Sequence, residues 1–430
     1  MFHMGWFLGT GFGVYSWDTE WAGNVTQDVG NPDLFVYMAQ SLERAGFDYM
    51  MLEDSSVLPN IFRGTFESSV KDGGTIRFDP MPLIPLLAMA TKHIGLIATV
   101  STSFYPPFLA ARLLTTLDWV THGRVGMNLV TSSPHQAAQN YGLDQHIEHD
   151  KRYQMADEWA AVVKGLWNTW EPDAVLADEV NHVYADHTKI HTLDFDGEFF
   201  KCRGPINLPP GPQREPVICQ AGGSGAGREF GARHADTIIA AVRGPQEMKA
   251  YREDISQRML ANGRKPSDAK VLYLVHPILG DTDQEAQEKY DRMLAVMRAN
   301  TDAMLAGMSY FTSVDFSQFD LDGPFPDLSK NNGHQSTMND FARSGKTLRE
   351  AIANHRVQES VKLVGTPDSV AAQMEDVMAE AGGDGFLIAK PVTRRTITEI
   401  SEGLAPALRK RGLIRSSYEW PTFKQNLLAY

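Results

Sequence analysis

The sequence has 430 residues, of which 43% are hydrophobic and 22% charged, and this ordinary globular composition excludes a disordered or collagen-like chain. Its 53 acidic and 40 basic side chains give a net charge of −13, which disfavours nucleic acid as a partner. The two cysteines, Cys202 and Cys219, form no CxxC pair, and the apolar run 81–90 is far shorter than the roughly 20 residues of a membrane span. We expect a cytoplasmic protein with no membrane partner and no metal site.

Eight short runs rich in β-branched or aromatic residues recur along the chain, each followed by a turn-forming break and a stretch with helical spacing. This alternation predicts parallel βαβ units, and eight strands are the number of a (β/α)8 TIM barrel, an α/β fold. The predicted strands are 3–8, 49–53, 94–100, 125–130, 216–220, 237–241, 271–279 and 385–389. We expect one barrel domain over residues 1–430.

Helical spacing predicts the segments between the strands. The predicted helices are 33–45, 83–91, 108–121, 152–167, 227–234, 246–262 and 400–411. Gly46 and Gly263 stand where left-handed helix caps are needed, and Thr366 precedes a proline as a helix-starting residue would. Two inter-strand stretches are too long for simple crossovers: 132–215 after strand 4 and 308–364 between strands 7 and 8. Such insertions usually form lids, active-site walls or subunit contacts.

Polar residues close four of the predicted strands, at the end of a barrel where active sites form. They are Asp54 after the second strand, Thr99 and Ser101 at the third, Asn128, Thr131 and Ser132 at the fourth, and the glycine-rich turn 221–227 after the fifth. These groups predict a pocket for a polar, ring-bearing, phosphorylated ligand. The alternative for each residue is a turn or a helix cap, which the same residue types favour.

Two local patterns suggest a phosphate site. The turn that contains Gly223 and Ser224 lies between a strand and a helix, so its backbone N–H groups and the helix N-terminus could accept a phosphate. It matches neither a Walker loop nor a full GxGxxG pattern, and a tight structural turn is the alternative. His149 and Tyr153 are four residues apart on one helix face. Neither a metal-ligand spacing nor a GxSxG nucleophile motif is present.

The amino-terminal segment is dense in aromatic residues. Tyr15, Trp17 and Trp21 follow the first strand on a predicted loop, where they could line a substrate pocket. Ordinary core packing or a subunit contact is the alternative.

Three segments carry a resemblance to a known family. They are GRVGMNLVTSS, NYGLDQHIEHDKRYQMADEWAAVVKGLWNTW and FKCRGPINLPPGPQREPVICQAGGSGAGREFGARHAD. They resemble the flavin-dependent monooxygenases that include nitrilotriacetate, dibenzothiophene-sulfone and long-chain alkane monooxygenases, within the bacterial-luciferase-like superfamily. Met127 stands where the family usually has Trp, which makes it a candidate part of the pocket wall.

The resemblance implies a two-component monooxygenase. A separate NAD(P)H:flavin reductase would supply reduced FMN as a diffusible cosubstrate, and this chain would combine it with O2 and a small organic substrate through a flavin peroxide. The positions that match FMN-binding residues of the family are Asp54, Thr99, His149, Tyr153 and Ser224, with Asn128 close to the flavin ring. A homodimer or homotetramer is also implied.

The alternatives are a deazaflavin-dependent hydride-transfer dehydrogenase and a catalytically silent flavin-binding protein. The sequence assigns no catalytic residue and no particular substrate.

Overall fold

The computed structural model describes residues 1–17, 30–71, 73–328, 347–355 and 360–430. Eight parallel strands form a closed barrel in which each strand pairs with its neighbours in the sequence and β8 closes onto β1. The barrel strands are β1 (His3–Leu8), β2 (Tyr49–Leu52), β3 (Gly95–Ser101), β4 (Val125–Val130), β5 (Val217–Gln220), β6 (Thr237–Ala240), β7 (Lys270–Val275) and β8 (Gly385–Ile388). The predicted (β/α)8 barrel is confirmed.

Helices surround the barrel. They are α1 (Asp33–Arg44), α2 (Glu67–Val70), α3 (Leu83–Ala90), α4 (Pro107–Val120), α5 (His135–Asn140), α6 (His149–Trp167), α7 (Gly225–His234), α8 (Gly244–Ala261), α9 (Asp283–Ala299), α10 (Thr301–Thr312), α11 (Leu348–His355), α12 (Pro367–Ala381), α13 (Arg394–Thr398), α14 (Ala405–Lys410) and α15 (Phe423–Leu428). The predicted caps are confirmed: Gly46 and Gly263 have φ of 80° and 74°, and the Thr366 hydroxyl accepts the Ser369 N–H at 3.2 Å. No helix in the described ranges combines the length and the apolar character needed to cross a bilayer.

The wrong boundaries include one strand end and one helix start. The strand predicted over 271–279 ends at Val275, and Ile278–Leu279 pairs instead with Val364–Gly365 outside the barrel. Pro277 has no N–H with which to continue the ladder. The helix predicted over 400–411 begins at Arg394 and passes through a π-helical turn, Glu399–Leu404, before α14. Pro406 has no N–H to donate to a carbonyl of the preceding turn, and the helix widens into the π-helical turn just before it.

The strands present alternate side chains to two different cores, as the two-residue period of a strand requires. Tyr49, Met51 and Ile97 are among the residues that fill the barrel interior, whereas their neighbours along each strand pack outwards against the helices. Helix α15 closes the base of the barrel with Phe423. A Cβ on Gly95 would lie 2.4 Å from the ring of Phe423, so a glycine is needed at this close approach.

A buried ionic network joins the chain ends below the barrel. Asp48, directly before β2, accepts the Met4 N–H at 2.9 Å and contacts His3 Nδ1 at 2.9 Å and Arg415 Nη2 at 2.5 Å. The ring of Tyr430 stacks on His3 with centroids 4.3 Å apart. These contacts hold the carboxyl-terminal segment against the first two strands.

The two long insertions begin at the opposite end. The first contains α5, α6 and two antiparallel hairpins, and its last part returns to the base, where Gln213 hydrogen-bonds to Asp118 and Lys424. The second is larger than predicted, because α9 already departs from the barrel at Asp283; residues 329–346 and 356–359 of it lie outside the described ranges. Its apolar cluster includes Met308 and Phe316 and packs on Phe62 from the loop after β2. The second insertion therefore reaches across to the β2 loop.

Candidate active site

Helices α6 and α7 begin side by side at the carboxyl end of β4 and β5, the end that we call the mouth of the barrel. Tyr153, in the second turn of α6, extends its hydroxyl over the glycine-rich turn, within hydrogen-bonding reach of the side chains of Ser224, Gln220 and Thr131. Burial raises the pKa of Tyr153, so the hydroxyl keeps its proton and can donate it. Two helix N-termini and a phenolic donor thus converge at one place.

The glycine-rich turn lies too close to Tyr153 for any side chain at two of its positions. A Cβ on Gly222 would lie 2.9 Å from Tyr153 Oη, and one on Gly227 only 2.8 Å away. Ser224 caps α7, since its Oγ accepts the Gly227 N–H at 3.1 Å. The Gly223 carbonyl accepts a hydrogen bond from Arg228 Nε at 3.1 Å. The Ser224 hydroxyl proton is left to donate to another acceptor.

His149 occupies the first turn of α6, three residues earlier than the predicted start of that helix. The Glu148 carboxylate caps this turn by accepting the Asp150 and Lys151 N–H groups, each at 3.1 Å. His149 Nδ1 contacts Asp150 Oδ1 at 2.7 Å, and its ring lies edge-on to Tyr153 with centroids 5.2 Å apart. Asp150 thereby fixes the imidazole beside Tyr153, with Nε2 as the remaining polar atom of the ring.

Thr99 and Asn128 form a buried pair inside the mouth. They are register partners on β3 and β4, and Asn128 Nδ2 donates to Thr99 Oγ1 at 3.0 Å while Thr99 Oγ1 donates to the Leu52 carbonyl at 2.8 Å. Among the described residues, Asn128 Oδ1 has no hydrogen-bond partner although Asn128 is only 2% exposed. Such an oxygen is costly unless a ligand satisfies it. Met127 packs in the outer core, so its expected place in the pocket wall was wrong.

Asp54 follows β2 at the same end and lies near other charged groups. Burial, reinforced by the Asp79 charge, raises the pKa of Asp54 to about 6. The preceding residue, Glu53, forms an ion pair with Arg77, whose Nη1 lies 2.5 Å from Glu53 Oε2. Sequence reasoning missed Glu53 and Arg77. The inward alternation of Tyr49 and Met51 was a signal for Glu53, but no local signal marked Arg77.

The three candidate substrate-pocket aromatics differ in their surroundings. Tyr15 is buried, and its hydroxyl donates to the Gly11 carbonyl at 3.1 Å while accepting the Thr10 N–H at 3.0 Å. Trp17 is 39% exposed. Trp21 lies outside the described residues. Tyr15 therefore orders the β1 loop, and a contact of Tyr15 or Trp17 with substrate stays a prediction.

The predicted site residues thus occupy the mouth of the barrel in two groups. His149, Tyr153, Gly223 and Ser224 form a cradle of donors at β4 and β5, and Asp54, Thr99 and Asn128 line the mouth from β2 to β4. In the part of the chain that the structure describes, no group of three or more His, Cys, Asp or Glu side chains is arranged to hold a metal ion.

Helix N-termini, a glycine cradle and an unsatisfied amide oxygen thus lie together at the mouth of the barrel, the end at which the active sites of this fold form. The profile of the luciferase-like monooxygenase family matches residues 4–385, and this chain belongs to that family. The resemblance noted from the sequence is confirmed.

Similar proteins support the same assignment. The dimethyl-sulfide monooxygenase of Hyphomicrobium sulfonivorans is 35% identical over 91% of this chain and 82% of its own length. Component A of the nitrilotriacetate monooxygenase of Aminobacter aminovorans is 33% identical over 91% of this chain and 89% of its own. A crystal structure of riboflavin lyase with modified FMN and its substrate riboflavin superimposes with a TM-score of 0.90 at 29% identity, covering 100% of this chain and 96% of that one.

Proposed function

We propose that this protein is a monooxygenase that uses reduced FMN and O2 to oxygenate a small organic substrate. The observation that carries the proposal is the cradle at β4 and β5, where the Tyr153 hydroxyl stands over a turn whose Gly222 and Gly227 leave no room for a Cβ. Phosphate oxygens need donors, close backbone approach and helix N-termini, and the cradle offers all three. The monooxygenase relatives point to the same chemistry.

The residues present fit FMN. His149, Tyr153 and Ser224 would donate to the phosphate, and the backbone around Gly223 would approach it closely. These local donors matter because the net charge of −13 repels an anion at long range. Asn128 Oδ1 would accept a ring N–H, which removes the cost of its missing partner. Thr99 would orient Asn128, and the Asp54 carboxylate would accept from ring or ribityl donors.

Reduced FMN, when bound, supplies the two electrons needed to split dioxygen between substrate and water. The protein contributes binding, orientation and exclusion of water. The second insertion contributes to that exclusion, because Tyr310 Oη on α10 reaches Ser55 Oγ at 2.7 Å and so closes the β2 side of the mouth. We further propose a separate NAD(P)H:flavin reductase as partner, as the name "component A" of the nitrilotriacetate relative suggests. The homodimer or homotetramer stays a prediction.

The test combines the purified protein with a flavin reductase, NADH, FMN and 18O2. Candidate substrates are a thioether, a sulfone, a long-chain alkane and a tertiary amine. We expect a product that carries one 18O atom and forms only when reductase, FMN and this protein are all present. Reduction of a deazaflavin by an alcohol, without oxygen incorporation, would instead identify the dehydrogenase alternative. Flavin binding without turnover of oxygen would identify the silent binder.

A further inference from the structure

Glu53 points into the mouth of the barrel next to the residues proposed to hold the flavin ring. Its N–H extends the β1 ladder by donating to the Leu8 carbonyl at 3.2 Å, so the strand alternation that turns Met51 inwards also turns Glu53 inwards. Leu52 pairs with Ala98 in the register of β2 and β3, which places Glu53 beside Thr99. A quarter of the Glu53 side chain is exposed.

Arg77 is brought to Glu53 by a small sheet above the barrel. The strand Arg77–Phe78 pairs antiparallel with Phe12–Gly13 in the β1 loop. From there the Arg77 Nη1 atom reaches Glu53 Oε2 at 2.5 Å, and Nη2 lies 3.4 Å from the Gly9 carbonyl. The guanidinium therefore touches one carboxylate oxygen of Glu53 from the side of the β1 loop.

The other titratable groups around this pair are acidic or phenolic. Asp54 follows Glu53 in the chain, and Asp79 lies beyond Arg77 on the same loop. Tyr15 from the β1 loop and Tyr310 from α10 complete the surroundings. Of these groups only Arg77 is positive. Burial accordingly raises the pKa of Glu53 to about 7, with Arg77 opposing the rise and Asp54 adding to it.

We propose that Glu53 holds a proton for the reaction: when flavin is bound beside Thr99, Glu53 would lose its remaining contact with solvent, take up a proton and later give it to the oxygen atom that leaves as water. This inference rests on the proposed function. The balance requires one proton, because anionic reduced FMN, dioxygen, substrate and one proton yield oxidised FMN, oxygenated substrate and water. Arg77 opposes protonation of Glu53 in the free protein, and solvent supplies the next proton when the next flavin binds.

Proton uptake on binding tests the proposal without turnover. Reduced FMN is titrated anaerobically into the protein in two buffers of different ionisation enthalpy. At about pH 7.5 we expect the wild type to take up roughly half a proton more per flavin than Glu53→Gln does. Any proton bound by the flavin itself contributes to both titrations and cancels in the difference. The matched control Glu419→Gln, an exposed change far along the chain, should behave as wild type.

A second variant supports the test should Glu53→Gln fold poorly. Arg77→Met removes the charge that opposes protonation of Glu53 in the free protein, so its extra uptake should vanish as well. Turnover provides another readout. In the wild type the rate of flavin oxidation should fall at high pH, and in Glu53→Gln this fall at high pH should be absent. Equal proton uptake by the wild type and both variants would overturn the role of Glu53. Absence of FMN binding in the wild type would instead overturn the proposed function.

Discussion

Asp48 and Glu53 lie at opposite ends of β2, and their surroundings shift the pKa values of these two carboxyl groups in opposite directions. At the base, Asp48 has a backbone N–H, an imidazole and a guanidinium as partners. Burial opposes its ionisation, yet His3 and Arg415 hold the pKa of Asp48 below its usual value. At the mouth, Glu53 has one charged partner, and burial raises its pKa to about 7.

The carboxyl group at the base of β2 therefore serves the stability of the fold, and the one at the mouth is available for function. A carboxylate whose acceptor sites are filled by the protein stabilises the fold and has nothing left for a ligand. A carboxylate with an incomplete set of partners is costly in the free protein and useful when a ligand arrives. The unsatisfied Asn128 Oδ1, also at the mouth, follows the same rule. The predictions below test this contrast, from the largest expected effect to the smallest.

The largest effect should come from the base. Arg415→Met leaves the Asp48 carboxylate buried with its guanidinium partner removed, and we expect a loss of about 3–5 kcal/mol in the free energy of unfolding. Arg77→Met at the mouth should cost only about 1 kcal/mol, because Glu53 can take up a proton instead. Urea denaturation of both variants measures this. Equal losses of unfolding free energy in the two variants would contradict the proposed difference between the base and the mouth of the barrel.

The glycine cradle should show its effect in flavin binding. Gly227→Ala places a methyl group 2.8 Å from the Tyr153 hydroxyl and from the Gly222 Cα, and we expect a loss of about a hundredfold in affinity for reduced FMN. Gly231→Ala is the matched control in the same helix, because its Cβ would meet its nearest neighbours at an ordinary 3.5 Å. Fluorescence titration should find the control unchanged; a similar loss in both variants would point to a general effect on α7.

The two side-chain donors of the cradle should each contribute part of the phosphate affinity. His149→Ala and Ser224→Ala each remove a hydrogen bond to a charged group, worth about 1.5–3 kcal/mol of binding free energy. Anaerobic equilibrium binding of reduced FMN measures both. Riboflavin, which lacks the phosphate, serves as the control ligand, and its affinity should change little. Unchanged FMN affinity in both variants would refute the phosphate assignment.

The smallest effect concerns how stability depends on pH. Glu53 has a pKa of about 7 in the folded state against about 4.3 when unfolded, so the folded state binds the extra proton and stability falls as pH rises through this window. Between about pH 5 and pH 8 the wild type should lose about 1–2 kcal/mol relative to Glu53→Gln. Denaturation at both pH values checks this. A constant difference between the two proteins would show that Glu53 is ionised throughout.

Much of the fold could be predicted because local patterns determine it. The alternation of apolar runs and breaks gave all eight barrel strands, and Gly46 and Thr366 marked helix ends through their own backbone and side-chain preferences. The error at Pro277 arose where apolar periodicity continued across a residue that cannot donate a hydrogen bond, whereas the last predicted helix was wrong at its start, which lies at Arg394.

The candidate site could be predicted only in part, for a related reason. Strand-end residues such as Thr99 and Asn128 are placed by the barrel itself, so their meeting followed from the strand order. Arg77 and Tyr310 reach Glu53 from a loop sheet and an insertion, and such tertiary contacts leave no periodic signal in the sequence. Asp150 was missed because its contact with His149 depends on the exact start of α6.

The most direct measurement of the central claim compares the affinities for reduced FMN and reduced riboflavin under anaerobic conditions. The two flavins differ only in the phosphate that the cradle between α6 and α7 is proposed to hold. We expect the wild type to prefer FMN by about a hundredfold or more, and the double variant His149→Ala, Ser224→Ala to lose most of that preference. Equal affinity of the wild type for the two flavins would contradict the account.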